Sequence, residues 1–212
     1  MTRGRFITLE GGEGTGKSTQ RQRLVASLQA RGLKVLATRE PGGSPGAEEI
    51  RRLLVEGPPD RWDAVTEALL HFAARRDHVQ KTILPALEQG TWVISDRFAD
   101  STLAYQGYGH GLDHQLFYKL YAMVLGSFAP DITIILDAPA ELGLQRAKLR
   151  GGSEDRYEAM TLAFHQRLRQ GFLAIAAREP NRCHIVDATL DLNQVADVVL
   201  DLVLRNLKLS AT

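Results

Sequence analysis

The segment from Gly11 to Ser18 has the residue types and spacing of a phosphate-binding loop. It reads Gly-Gly-Glu-Gly-Thr-Gly-Lys-Ser and matches the pattern Gly-x-x-x-x-Gly-Lys-Ser in full. An apolar strand pattern precedes it and a helical pattern follows, so the positive end of a helix dipole would face the phosphates. We predict that ATP-type phosphates bind here, with Lys17 near the β- and γ-phosphates and the Ser18 hydroxyl on Mg²⁺. The predicted nucleotide-binding residues are Gly11, Gly12, Glu13, Gly14, Thr15, Gly16, Lys17, Ser18 and Thr19.

A phosphate loop alone does not separate kinases, GTPases and motor proteins. The sequence contains neither an Asp-x-x-Gly switch nor an Asn-Lys-x-Asp base-reading loop, which disfavours a GTPase. Gly14 also leaves the loop without an arginine, so the positive charge needed on the transferred phosphoryl must come from elsewhere. Two rivals remain beside the main interpretation: a kinase for another small acceptor, and a non-catalytic protein that uses the loop as a nucleotide switch.

Asp96 and Arg97 follow a third apolar run and end a predicted strand. An acid in this place can hold Mg²⁺ through water, and Glu10, directly before the phosphate loop, could assist it. Arg97 can form a forked contact with a phosphate. A surface salt bridge is the structural alternative for an Asp-Arg pair, but the apolar residues before it and the loop after it favour a site.

Basic residues flank Gly151-Gly152 after the fourth strand pattern. We interpret residues 146–157 as a lid that closes over the ATP phosphates and excludes water. The alternative is a solvated, charged helix end, and the missing loop arginine favours the lid. Its basic residues are Arg146, Lys148, Arg150 and Arg156.

Five short apolar runs alternate with helical patterns along the chain. The runs are 6–9, 35–38, 92–95, 132–136 and 184–186, and the helical patterns are 17–31, 64–88, 113–126, 139–149, 157–178 and 193–207. This βα alternation predicts one doubly wound α/β domain with a parallel sheet, helices on both faces and ligands at the carboxyl ends of its strands. Glycine- and proline-rich segments at 41–46, 57–59, 107–111 and 151–152 are predicted loops at the sheet rim, and Pro85 predicts a kink or break.

Composition gives no reason to expect nucleic acid or a membrane as partner. The 212 residues carry 26 basic and 25 acidic side chains, for a net charge of +1. We expect no signal peptide and no membrane-spanning run. The single cysteine, Cys183, lies in an apolar run and is predicted to be a buried thiol, which fits a reducing, cytoplasmic setting.

Further strings in the sequence resemble the bacterial thymidylate kinases, in that family's order and over essentially the whole chain. They are 9–19, Thr-Arg-Glu-Pro-Gly-Gly at 38–43, Asp-Arg-Phe at 96–98, Ser-Thr-Leu-Ala-Tyr-Gln-Gly at 101–107, Pro-Asp at 130–131 and Leu-Asp at 136–137. The resemblance implies a five-stranded parallel sheet and the reaction ATP + dTMP to ADP + dTDP with Mg²⁺, in a homodimer packed through helices.

The resemblance also implies residue roles. Arg97 and Arg51 would hold the dTMP phosphate, Glu40 would organise the acceptor site, and Arg150 would be the lid arginine. Tyr105 would pack near the deoxyribose, and the thymine edge would bond to Thr102 and Gln106.

The family usually has Phe or Tyr stacking on thymine four residues before an arginine, and this sequence departs from that pattern. Either His71 stacks with Arg75 beside it, which we favour, or Phe72 and Arg76 take those roles. The adenine site is the least defined, and we place it in the loop around Arg182 and residues 188–190.

Overall fold

A five-stranded parallel sheet forms the centre of the protein. The computed structural model describes residues 3–58, 60–150 and 156–207, with backbone alone at Arg150. The strands are β1 (Phe6–Glu10), β2 (Val35–Arg39), β3 (Trp92–Asp96), β4 (Ile132–Asp137) and β5 (Cys183–Asp187). Their order is β2-β3-β1-β4-β5, so β1 is central and the phosphate loop leaves its carboxyl end between two neighbours.

Helices cover both faces of the sheet. They are α1 (Lys17–Gln29), α2 (Pro45–Val55), α3 (Ala64–His78), α4 (Leu84–Glu88), α5 (Ala99–Thr102), α6 (His114–Leu125), α7 (Ala140–Arg150), α8 (Leu162–Arg178) and α9 (Leu192–Asn206). π-Helical turns at Val79–Ile83 and Leu103–Gly109 extend α3 into α4 and follow α5. In the described ranges, no helix has both the length and the apolar character needed to cross a membrane.

Two apolar cores lie on opposite faces of the sheet, as a doubly wound fold requires. Phe6 belongs to the core that packs against α3, α6 and α8, whereas Ile7 and Leu9 belong to the core under α1 and α9. Because side chains alternate along a strand, β1 supplies both cores and is buried throughout. Cys183 is also buried and free, as predicted.

The predicted strands and fold class are confirmed, and the differences lie in the helices. Helix α2 was not predicted, because Pro45-Gly46 resembles a loop although proline suits the first turn of a helix. Helix α8 begins at Leu162 and not at 157, since Thr161 caps it by accepting a hydrogen bond from Phe164 N. Residues 107–109, predicted as loop, are π-helical, and the irregularity expected at Pro85 is the π-helical turn before it.

Candidate active site

One cleft of about 520 Å³ runs along the carboxyl edge of the sheet, from the phosphate loop to α3. It brings together most of the residues that the sequence predicted for both substrates. Its lining includes Glu13, Gly14, Gly16, Lys17, Ser18, Thr19, Glu40, Arg51, His71, Arg75, Asp96, Arg97, Thr102, Tyr105 and Gln106. Gly11, Gly12 and Thr15 lie on the other side of the loop.

The phosphate loop lies tightly against α7, which fixes its shape. A Cβ atom on Gly14 would sit 1.9 Å from the Gly143 carbonyl oxygen, and Gly14 has φ +67. Only glycine fits there, so an arginine at this position is excluded by space as well as by backbone conformation. The loop charge is instead Lys17, whose Nζ donates to the Gly12 carbonyl at 2.6 Å. Burial and the nearby Arg97 charge lower the pKa of Lys17 to about 8.

Ser18 and Asp96 meet at the mouth of the loop. The Ser18 hydroxyl donates to Asp96 Oδ2 at 2.6 Å, joining the start of α1 to the end of β3. A hydroxyl and a carboxylate are the hard oxygen ligands that Mg²⁺ prefers, so this pair fits the ion.

Glu10 does not join this pair, contrary to the sequence prediction. It is fully buried, and its two carboxylate oxygens accept hydrogen bonds from Phe98 N at 2.7 Å and the Ser101 hydroxyl at 2.5 Å. Burial and the neighbouring Asp100 raise the pKa of Glu10 to about 8. Glu10 therefore anchors the backbone after β3 from beneath the cleft.

Arg97 lies between the phosphate loop and Tyr105. It has a left-handed backbone with φ +69, and its Nη1 donates to the Gly11 carbonyl at 3.0 Å and the Ser101 hydroxyl at 3.1 Å. Its Nη2 donates to Glu13 Oε1 at 3.0 Å, and its guanidinium lies 4.9 Å from the centre of the Tyr105 ring. These contacts hold the guanidinium edge in one place.

Glu13, predicted only as a nucleotide-loop residue, directs its carboxylate to Arg97 and Tyr105. Besides Arg97 it accepts a hydrogen bond from the Tyr105 hydroxyl at 2.6 Å. Although burial disfavours its charged form, the Arg97 and Lys17 charges prevail and lower the pKa of Glu13 to about 2. Glu13 is thus a charged link between the two halves of the cleft.

Arg75 is held by a buried polar network at the far end of the cleft. Its Nε donates to Glu40 Oε2 at 2.7 Å, and its Nη2 donates to the Phe98 carbonyl and the Thr102 hydroxyl. Glu40 Oε1 lies 2.9 Å from His78 Nδ1, and His78 Nε2 lies 2.8 Å from the Thr38 hydroxyl. Because a carboxylate only accepts, Nδ1 is the donor to Glu40.

One of the two aromatic–arginine pairs lines the cleft and the other does not. His71 and Arg75 line the cleft. Phe72 packs in the core with its ring centre 5.5 Å from that of Phe117, contrary to its assignment as a substrate residue. Arg76 donates to the Val124 carbonyl outside the cleft. One residue corresponds to about 100° around a helix, so the neighbours 71 and 72 face different surroundings.

Gln106 ends the cleft beside residues that sequence reasoning missed. Its Nε2 donates to Glu67 Oε2 at 2.8 Å and approaches the Tyr157 hydroxyl at 3.4 Å. His71 Nε2 lies 3.3 Å from the same hydroxyl. Burial, then the Arg75 charge, lowers the pKa of His71 to about 3, so the ring is neutral. The missed signal was the spacing on α3, where Glu67, His71, Arg75 and His78 share one helical face.

Arg51 lies on α2, and its Nη1 donates to the Pro41 carbonyl at 2.6 Å at the edge of the cleft.

Among the basic residues of the predicted lid, Arg146 lines the cleft and donates to the Ala188 carbonyl at 2.7 Å. Arg156 is buried at 3% exposure, bonds to the Leu54 and Pro58 carbonyls, and pairs with Glu67. The Arg150 side chain and residues 151–155 lie outside the described residues.

The residues predicted to hold adenine lie in two different places. Ala188 contacts Arg146 beside the cleft. Arg182 precedes β5 and pairs with Asp100 at 2.7 Å, so it does not belong to the loop after that strand.

A phosphate loop at the central strand, a Ser–Asp pair beside it and a buried polar pocket in the same cleft define the class of the protein. It is a P-loop kinase for a small phosphorylated acceptor. A thymidylate kinase family model matches residues 9–199. The chain belongs to the thymidylate kinase family.

Relatives and a solved structure agree with this assignment. The chain is 56% identical over 209 residues to the thymidylate kinase of Caulobacter vibrioides, covering 99% of this chain and 100% of that one. It is 54% identical over 198 residues to that of a Jannaschia species, covering 93% and 95%. The crystal structure of thymidylate kinase from Ehrlichia chaffeensis has a TM-score of 0.76 and 37% identity, covering 95% of this chain and 98% of that one.

Proposed function

We propose that the protein transfers the γ-phosphoryl group of ATP to dTMP, with Mg²⁺, giving ADP and dTDP. The observation that carries this is a pair of buried polar atoms at the end of the cleft away from the phosphate loop. Arg75 Nη1 and Gln106 Oε1 have no hydrogen-bond partner among the described residues, although both side chains line the cleft. A buried polar group left unpaired is costly, so these atoms favour a ligand that completes them.

Thymine offers the matching groups. Its N3–H is a donor for Gln106 Oε1, and its O4 is an acceptor for Arg75 Nη1. The neutral His71 ring supplies a face for stacking, and Thr102 positions Arg75 by accepting from its Nη2. Phe72 and Arg76 have no part in this arrangement.

The phosphate and the deoxyribose of dTMP would lie along the cleft between the base pocket and the phosphate loop. We place the dTMP phosphate at Arg97 and Arg51, which line the cleft between the base pocket and the phosphate loop. Tyr105, whose ring lies under the Arg97 guanidinium, would pack near the deoxyribose. Glu40 organises this half from beneath through its bond to Arg75.

The donor half would hold ATP by the phosphate loop. Lys17 would exchange its bond to the Gly12 carbonyl for the β- and γ-phosphate oxygens. Ser18 and Asp96 would hold Mg²⁺, which neutralises phosphate charge when bound. The acceptor is already an anionic phosphate, so the chain needs no strong general base. Its residues align the two phosphates in line and shield them from water.

The positive charge that the loop lacks would come from Arg150, at the end of α7. Helix α7 packs against the loop at Gly143, and Arg146, about one turn before Arg150, lines the same cleft. Arg150→Ala should lower kcat by orders of magnitude, with Arg31→Ala, at an exposed arginine just after α1, as the matched control. A kcat within about threefold of the original would refute the lid assignment.

A homodimer and a cytoplasmic location belong to the same proposal. Val65 and Leu69 are 41% and 49% exposed one turn apart on α3, and Met123 is 75% exposed on the adjoining α6. Exposed apolar residues on adjoining helices support self-association through them. A dimer by light scattering that Leu69→Lys converts to a monomer would support this. The buried free thiol of Cys183 is compatible with a reducing compartment.

The test is a panel of nucleoside monophosphates with ATP and Mg²⁺, scored by ADP formation. Selective turnover of dTMP supports the proposal. Faster turnover of another monophosphate would replace the acceptor, and ATP binding without turnover would favour a nucleotide switch.

A further inference from the structure

We propose that Glu67 determines which end of the Gln106 amide faces the base, and thereby makes the cleft select a base with an N3–H group. Glu67 lies on α3 behind Gln106 and does not line the cleft, so it is a positioning residue and not a contact residue. The inference rests on the proposed function, because it assigns the source of selectivity in the same pocket.

Glu67 is a carboxylate, so its neighbours Gln106, Arg156 and the Tyr157 hydroxyl can only donate toward it. Its side chain is 1% exposed, and Oε2 accepts from Gln106 Nε2 at 2.8 Å. Its other oxygen, Oε1, forms an ion pair with Arg156 Nη2, although the two are not aligned as a hydrogen bond. Arg156, itself 3% exposed, also bonds to two backbone carbonyls, which fixes its guanidinium.

The functional groups of Arg156 and Glu67 determine which end of the Gln106 amide faces Glu67. A guanidinium has no acceptor, so residue 67 must present an oxygen to Arg156. A carboxylate presents its second oxygen as well, so the Gln106 amide must turn its nitrogen to Glu67. The carbonyl oxygen of Gln106 is then the end left for the base, and it is the atom without a partner in the described part of the chain.

This orientation has a chemical consequence at position 3 of a pyrimidine. A carbonyl oxygen accepts from the N3–H of thymine or uracil but faces the lone pair of cytosine N3. A mismatch of this kind between buried polar groups costs roughly 10- to 100-fold in binding. Arg156 therefore fixes, through Glu67, the orientation of the Gln106 amide and places its carbonyl oxygen toward the base.

The isosteric substitution Glu67→Gln reverses the direction of the hydrogen bond between the side chains at positions 67 and 106. The amide introduced at position 67 must still give its oxygen to Arg156, so its nitrogen faces residue 106. Gln106 then turns its own oxygen to that nitrogen and its own nitrogen to the base. The reversed Gln106 amide repels the N3–H of thymine and donates to N3 of cytosine.

The experiment compares kcat/KM for dTMP and 5-methyl-dCMP, which share the methyl group and differ at positions 3 and 4. The 4-amino group of 5-methyl-dCMP and the Arg75 guanidinium are both donors, which weakens binding of this nucleotide. This loss is the same in the original enzyme and in E67Q, so it cancels when the two ratios of kcat/KM are compared. We expect E67Q to shift the ratio of kcat/KM values toward 5-methyl-dCMP by about tenfold or more, with KM for ATP unchanged. Glu141→Gln, an exposed Glu-to-Gln change on α7, should leave the ratio as in the original protein.

The exchange E67Q/Q106E is the second variant. A carboxylate at position 106 accepts from the amide nitrogen at position 67 with one oxygen and from thymine N3–H with the other, so the preference for dTMP should return. Thermal unfolding shows whether each variant folds, and if E67Q does not fold, retention or loss of the preference in E67Q/Q106E decides.

A merely structural role for Glu67 predicts that both kcat/KM values fall in parallel, and this result would overturn the inference. Failure of the original enzyme to phosphorylate dTMP would instead overturn the proposed function.

Discussion

The buried ion pair between Glu40 and Arg75 offers a quantitative test of the polar network at the base end of the cleft. The two side chains are 3% and 2% exposed, and Arg75 Nε lies 2.7 Å from Glu40 Oε2. The perturbation is a double-mutant cycle made of Glu40→Gln, Arg75→Met and the double variant. It removes each charge alone and then both together.

The expected magnitudes follow from the burial of both partners. Removing either charge leaves the other uncompensated out of water, which costs about 3–5 kcal/mol of unfolding free energy. Removing both leaves no such charge, so the double variant should lose less than the sum of the single losses. We expect a coupling free energy of about 2–3 kcal/mol, well above the few tenths typical of independent sites.

Urea unfolding at pH 7 measures the cycle, and steady-state kinetics accompany it. Arg75→Met also removes Nη1 from the base pocket, so KM for dTMP should rise by at least about tenfold while KM for ATP stays nearly constant. Arg76→Met, whose side chain lies outside the cleft, is the matched control. Additive losses within about 0.5 kcal/mol would refute the assignment of Arg75 as a residue held by Glu40.

Three further predictions concern charge and stacking in the cleft. The pKa of Lys17 is about 8 in the folded protein and 10.5 for an ordinary lysine, so the unfolded chain binds this proton more tightly. Protonated Lys17 therefore costs stability below pH 8, and Lys17→Met should stabilise the free protein by up to about 3 kcal/mol at pH 7 while abolishing turnover. The pKa of Glu13, about 2 against 4.5, has the opposite effect. The charge of Glu13 contributes up to about 3 kcal/mol to the free energy of unfolding above pH 4.5. The original protein should therefore be more stable than Glu13→Gln at neutral pH, and this difference should vanish as the pH falls toward 2. His71→Ala should lower kcat/KM for dTMP about tenfold through lost stacking, whereas His71→Phe should retain it.

Each of these has a result that would contradict it. Urea midpoints that fall in Lys17→Met at pH 7 would show that the lysine is not desolvated in the free protein. A stability difference for Glu13→Gln that is constant from pH 6 to pH 3 would remove the proposed link to Arg97. Equal activity of the Ala and Phe variants at 71 would exclude a stacking role.

The fold was predictable because its signals are local. Each strand is a short apolar run, and the phosphate loop is contiguous in sequence, so both can be recognised without knowing what packs against them. Helix α2 was missed because its first two residues, Pro45 and Gly46, have turn-like propensities that the helix tolerates only at its start.

The base end of the cleft was predictable only in part, because long-range pairing builds it. Glu67, Gln106 and Arg156 are distant in sequence, and no local pattern shows that they meet. Resemblance to a family supplied Thr102, Tyr105 and Gln106 but not the residues behind them. Phe72 was wrongly assigned because the rotation of α3 about its axis decides which of two adjacent side chains faces the cleft. A basic residue near a glycine pair does not reveal its buried acid partner, so the pairing of Arg156 with Glu67 could not be predicted.

The most direct test of the proposed reaction follows the phosphoryl group itself. The protein is incubated with dTMP, Mg²⁺ and ATP labelled in the γ-phosphate, and the labelled product is separated by chromatography. We expect the label to appear in dTDP, and Lys17→Met to abolish this transfer. Label recovered only as inorganic phosphate, or in the diphosphate of another nucleotide in preference to dTDP, would contradict the proposed reaction.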